Sequence, residues 1–146
     1  MTRINCIPVE DLLDQHLFAE YRELPRIFPL AQKWVGAGRP GKIPSTYRMG
    51  TGHVRFFYPR TGWLAERHAL LVAECLRRGF NLSADGRRQL TPVPGAAGTW
   101  SPTPRDVECN LERLRDKVRE KHVTHPTFYR HLGSPVAPTF YAGVSA

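Results

Sequence analysis

Leu13-Asp14-Gln15-His16-Leu17-Phe18-Ala19-Glu20-Tyr21-Arg22-Glu23-Leu24-Pro25-Arg26-Ile27-Phe28 is the stretch that decides the fold. Its apolar residues Leu13, Leu17, Tyr21, Leu24 and Phe28 recur at spacings of four, four, three and four, the period of a helix that buries one side. Gln15, Ala19, Arg22, Glu23 and Arg26 fall on the opposite face, which is offered to a ligand. Pro25 removes the backbone hydrogen bond to the Tyr21 carbonyl and should bend or break the helix just after Glu23. Pro29, four residues on, is expected to end it.

Upstream of this helix the chain opens Met1-Thr2-Arg3-Ile4-Asn5. Aminopeptidases remove an initiator Met that precedes a small residue, which would leave Thr2 with a free α-amine. Such an amine has a reference pKa of about 7.7–8.0, and the cations Arg3, Arg22 and Arg26 lower it further by disfavouring the ammonium form. The neutral fraction can attack an aldehyde-like carbon and form a Schiff base. Glu23 between arginines then reads as a carboxylate placed beside amine chemistry on a polyanion.

Downstream, glycines and prolines from Gly36 to Gly52 predict a long loop. His53 to Tyr58 is aromatic and strand-like but has no second strand, so extended packing or a short helical turn is expected. A second helix is expected from about Trp63 to Arg78, with Leu64, Leu71, Val72, Cys75 and Leu76 inward and Gly79 as its stop. Residues 81–104 read as a connection. The third helix opens with Thr103 as N-cap, Pro104 in the first turn and Asp106 three residues after the cap. Its buried stripe is Val107, Leu111, Leu114 and Val118, and Arg113, Lys117 and Lys121 form one basic edge. The fold class is therefore all-α: three main helices with long irregular connections, in a single domain spanning residues 1–146.

Net charge is +8, from 21 Lys and Arg against 13 Asp and Glu, and points to nucleic acid rather than to a small acidic substrate. Cys6, Cys75 and Cys109 are odd in number and far apart, which disfavours a disulfide framework or a zinc site. His122, His125 and His131 lack nearby acidic or thiol ligands, so no metal site is assigned. With neither a secretory segment nor a membrane span in the sequence, a cytoplasmic protein is expected.

The runs MTRIN, DQHLFAEYRELPR, GTGHVRFFY, AECLRRGFN and PTFYRHLG, in order from the N-terminus to residue 133, together resemble the phage-type pyrimidine-dimer DNA glycosylase and abasic-site lyase, the endonuclease V family. The resemblance implies Thr2 as the amine nucleophile and Glu23 as the catalytic carboxylate. It implies that Arg3, Gln15, His16, Arg22 and Arg26 hold DNA. On the last helix, counting from Arg113-Leu114 selects Arg113 and Lys117, whereas counting back from Pro126 selects Lys117 and Lys121. Phe128 stands where the family has tryptophan, in an aromatic pair with Tyr129 that helps to recognise the dimer. The implied partner is double-stranded DNA carrying pyrimidine dimers or abasic sites, bound by a monomer without metal or organic cofactor. Two other readings fit the same residues: a non-catalytic basic DNA-binding module, and a glycosylase for another damaged pyrimidine.

Overall fold

The computed structural model describes residues 3–144, so Thr2 lies outside the described residues. The first helix, α1 (Asp14–Glu23), follows a 3-10 turn at Val9–Asp11 and gives way to a second 3-10 turn, Leu24–Arg26, where Pro25 interrupts it as expected. Helix α2 (Ile27–Gly36) starts immediately afterwards. Pro29 thus does not end a helix. It is the third residue of α2, where the backbone N–H has no intrahelical acceptor to lose.

After the loop comes the short α3 (His53–Phe57), the helical alternative for the aromatic run. Helix α4 (Thr61–Arg77) ends as its sequence predicts. Gly79 takes φ 84°, its N–H bonds the Leu76 carbonyl at 3.0 Å, and the Phe80 N–H reaches the Cys75 carbonyl at 2.9 Å. This paired closure needs a left-handed residue, the conformation glycine adopts most cheaply. Helix α5 (Pro104–Thr124) carries the expected capping box, Asp106 N–H to Thr103 Oγ1 at 3.2 Å and Thr103 N–H to Asp106 Oδ2 at 3.0 Å.

The tail adds a small antiparallel hairpin, β1 (Arg130–His131) and β2 (Ser134–Pro135), and a final 3-10 turn at Phe140–Gly143. Asp14, at the start of α1, accepts the Leu132 and Gly133 N–H groups of the hairpin turn at 3.1 and 2.9 Å. It also pairs with Arg78 at 2.8 Å. One carboxylate therefore joins α1, the end of α4 and the tail.

One cluster of buried apolar residues runs from Ile4 to Tyr141 and draws on every helix. Leu64, Leu71 and Cys75 of α4 are buried within it, but Leu76 is exposed, and the inward face also carries Arg67, His68 and Glu74. Arg67 pairs with Glu20 of α1, its Nε 2.8 Å from Oε2 and its Nη2 3.1 Å from Oε1. Tyr21 stacks on His68 with ring centroids 5.7 Å apart. The loop after α4 presses on the same tyrosine: a Cβ at Gly86 would lie 1.9 Å from Tyr21 Oη, so no larger residue fits that position as it stands.

The N-terminal segment, residues 4–7, is buried without any strand partner. Its backbone groups must be satisfied all the same, and side chains from four regions do it. Ile4 N–H donates to His53 Nε2 at 2.8 Å, and Tyr47 Oη donates to the Ile4 carbonyl at 2.7 Å. Cys6 N–H donates to Asn110 Oδ1 at 2.8 Å, and Arg67 Nη1 donates to the Ile7 carbonyl at 2.6 Å. Asn5 donates to Glu20 at 2.8 Å and accepts from Asn110 at 2.7 Å. The segment is thereby locked among α1, α3, α4 and α5. Among the described residues, no helix is long and apolar enough to cross a membrane.

Candidate active site

A cleft of about 210 Å³ opens where this segment, α1, α5 and the tail meet. Arg3 and Asn5 enter from the segment. His16, Ala19, Glu20 and Glu23 come from α1, Arg113, Leu114 and Lys117 from α5, Met49 from the loop and Tyr129 from the tail. The spacing of 16, 19, 20 and 23 is one helical face, so the ligand face read from the sequence is divided. Glu23 and His16 look into the cleft, whereas Gln15 and Arg22 line a separate open groove of about 510 Å³ with Phe18, Phe80 and Asn81. Ala19 borders both depressions and forms the low ridge between them.

Glu20 and Glu23 are the two carboxylates of the cleft, and they differ in chemistry. Glu20 is paired with Arg67 and accepts a hydrogen bond from Asn5. Among the described residues the Glu23 carboxylate enters no ion pair or hydrogen bond. Facing it are the cations Arg3, Arg113 and Lys117. Burial lowers the Arg3 pKa, the nearby Arg113 lowers it further, and Glu23 opposes that drop. Among the described residues the cleft is therefore a cationic pocket with one uncommitted carboxylate.

His16 is pinned. Tyr141 Oη accepts the Leu13 N–H at 2.9 Å and lies 2.7 Å from His16 Nδ1. The ring also packs on Tyr129 at 4.7 Å. Burial, with added repulsion from Arg113 and Lys117, pushes its pKa down to about 4. At neutral pH it is an uncharged imidazole, not an additional cation.

The other expected DNA contacts separate by location. Arg113 and Lys117, the pair that the count from Arg113-Leu114 selects, share the cleft wall. Lys121 does not line the cleft, and its Nζ sits 4.4 Å above the Phe128 ring. The reason is helical drift: residues four apart rotate about 40° relative to each other, so eight residues carry Lys121 about 80° off the face. Gln15 spends both ends of its amide inside the protein, donating to the Phe128 carbonyl at 2.5 Å and accepting from the Arg130 N–H at 3.0 Å. It thereby fixes the aromatic tail against α1. Arg22 lies with its guanidinium 5.8 Å from the Phe18 ring centroid, and Arg26 is exposed on the 3-10 turn.

Sequence reading passed over Asn5, Glu20, Met49, Arg67 and Asn110. For Glu20 a signal existed, since it lies on the Leu13–Leu17–Tyr21–Leu24 side of α1, an unfavourable place for an unpaired carboxylate.

A family model described as pyrimidine dimer DNA glycosylase matches residues 1–86, more than half of the chain. The match takes in the N-terminal segment, α1 with Glu23, and α2 to α4.

Proposed function

The chain belongs to the pyrimidine dimer DNA glycosylase family, and from that premise we propose that it cleaves the glycosidic bond of the 5′ pyrimidine in cis-syn cyclobutane dimers through the Thr2 amine, then nicks the strand by β-elimination. The observation that carries this reading is the uncommitted Glu23 carboxylate in a cationic cleft whose rim includes Arg3. Arg3 is next to Thr2 in sequence, and adjacent Cα atoms are about 3.8 Å apart.

The neutral amine attacks C1′ of the 5′ nucleotide, and the pyrimidine takes the electrons of the C1′–N bond and a proton while staying joined to its 3′ neighbour through the cyclobutane ring. Glu23 stabilises the positive charge that develops on the sugar. Opening of the sugar ring at O4′ gives the imine, with Glu23 shuttling protons. Loss of a C2′ proton then expels the 3′ phosphate with the electrons of its C3′–O bond. Arg113 and Lys117 hold phosphates on the cleft side. Arg22, with Arg26, holds the backbone on the far side of the Ala19 ridge, so the duplex straddles α1. His16, kept neutral, offers a ring nitrogen without adding charge, and Tyr129 and Phe128 flank the lesion. Gln15 acts through the tail it fixes, and Lys121 through Phe128. The chain works as one domain and as a monomer, with chemistry supplied by its own amine.

The test is reductive trapping. Borohydride added during turnover of dimer-containing duplex should give a covalent adduct whose peptide begins at Thr2, and N-terminal acetylation or a retained Met1 should abolish it. An adduct mapped to a lysine such as Lys117 would overturn the mechanism.

A further inference from the structure

The backbone of Ile4 is held at its N–H and at its carbonyl by residues the chemistry above does not use. His53 is 1% exposed and Ile4 is fully buried. The His53 ring donates Nδ1–H to the Arg48 carbonyl at 2.7 Å, so its Nε2 keeps a lone pair that accepts the Ile4 N–H at 2.8 Å. On the following peptide, Tyr47 Oη donates to the Ile4 carbonyl at 2.7 Å. Both gripping rings are themselves held. Tyr47 stacks on Trp100 at 5.3 Å and meets His53 edge-on at 5.5 Å, while His53 packs against Phe57 at 5.6 Å. A turn through Gly52, at φ 90°, delivers His53 as the first residue of α3.

We propose that His53 and Tyr47 are positioning residues for the glycosylase reaction, clamping the two peptides that flank Ile4 so that the amine of Thr2 meets the sugar at attack distance beside Glu23. This rests on the amine mechanism proposed above. Two residues separate Ile4 from the amine, a reach of roughly 7 Å, and reacting atoms must come within about 3–3.5 Å of each other. A displacement of the Ile4 backbone therefore passes to the nucleophile with little chain to absorb it, and a shift of about 1 Å can cost about 100-fold in rate. The other bonds of the segment, at Asn5, Cys6 and Ile7, are farther from the amine and serve the helices as much as the terminus.

The clamp also requires a neutral imidazole. A proton on Nε2 would set a donor against the Ile4 N–H and open one jaw. The charged or titratable groups bearing on this ring are Arg3, whose charge disfavours protonation, and the phenol of Tyr47.

The experiment compares three variants in single-turnover borohydride trapping on duplex with one abasic site, beside equilibrium binding to duplex with a reduced abasic site. His53→Leu removes the acceptor and should slow imine formation roughly 30- to 100-fold while leaving affinity within about threefold. His53→Gln, whose amide oxygen can accept the Ile4 N–H, should recover most of that rate and should hold it to lower pH than wild type. Tyr47→Phe removes only the donor to the Ile4 carbonyl and should slow trapping about 10-fold, so the clamp remains testable if His53→Leu does not fold. Folded variants that trap within about threefold of wild type overturn the proposal, as does a Gln variant no faster than Leu. If the wild-type adduct is absent or maps away from Thr2, the amine mechanism fails and the clamp fails with it. An adduct at Thr2 with unaffected variants removes the clamp alone.

Discussion

Arg67→Met is expected to destabilise the protein by about 3–5 kcal/mol, the cost of leaving one member of a buried ion pair without the other. The structure supports the upper half of that range. Arg67 and Glu20 are 5% and 1% exposed, so water does not replace the lost partner. The guanidinium makes two bonds to Glu20 and a third, at 2.6 Å, to the Ile7 carbonyl. After substitution Glu20 retains the Asn5 amide at 2.8 Å, and Ile7 loses the donor to its carbonyl, itself worth about 1–3 kcal/mol when stranded. For a chain of this size each kcal/mol corresponds to roughly 2–4 °C, so Tm should fall by roughly 8–20 °C. Urea unfolding followed by tryptophan fluorescence measures the loss. The double variant Glu20→Leu/Arg67→Met removes both charges and should recover much of it, because an apolar pair of similar volume does not carry the desolvation penalty. A single-variant cost below about 1 kcal/mol, or a double variant no more stable than the single, would refute the assignment of Glu20–Arg67 as a strongly coupled buried pair.

Three further outcomes follow from the same geometry. Glu23→Gln keeps the shape of the cleft but removes the charge opposed to a cationic transition state, so it should bind dimer-containing duplex nearly as wild type while cleaving at least about 100-fold more slowly; near-normal cleavage would remove Glu23 from the chemistry. Lys117→Ala should make the slope of log K against log salt shallower by about one unit on undamaged duplex, the signature of one lost phosphate contact, and an unchanged slope would return Lys117 to solvent. Burial lowers the pKa of both His16 and His53 to about 4, against about 6.5 in an unfolded chain. The unfolded state therefore binds more protons between these values, and stability present above about pH 6.5 should be lost progressively as pH falls towards 4, with His53 contributing roughly 3 kcal/mol. A His53→Gln variant whose stability falls as steeply as wild type over that interval would contradict this linkage.

Helix faces and ends were legible in the sequence because each is set by neighbours a few residues away. The Leu13–Leu24 stripe, the Thr103–Asp106 capping box and the Gly79 stop all appear where the spacing puts them. Helix α2 was hidden because Pro29 looks like a breaker until the start of the helix is known, and that start depends on how the Leu24–Arg26 turn closes. Of the site, Glu23, His16, Arg3 and the Arg113–Lys117 edge were visible as residues, but their meeting was not. The partners of Asn5, Glu20 and Ile4 lie 105, 47 and 49 positions away, and no local period encodes such pairings.

Those long-range pairings explain why a polar core is tolerated at all. Burying Asn5, Glu20, Arg67 and Asn110 costs free energy that an apolar core would not, yet an extended segment threaded between helices has no ladder to satisfy its backbone. Side chains must supply the bonds, and they fix the segment in space more tightly than apolar packing, which is non-directional, would. Stability and site geometry are thereby coupled through residues 4–7. Loosening Tyr47, His53, Arg67 or Asn110 is expected to shift residues 4–7 as well as weaken the fold, whereas changes on the rim, at Arg113 or Lys117, reach only the electrostatics of the cleft. The two groups should therefore separate cleanly in a plot of Tm against trapping rate: correlated losses for the first, rate and affinity losses at constant Tm for the second.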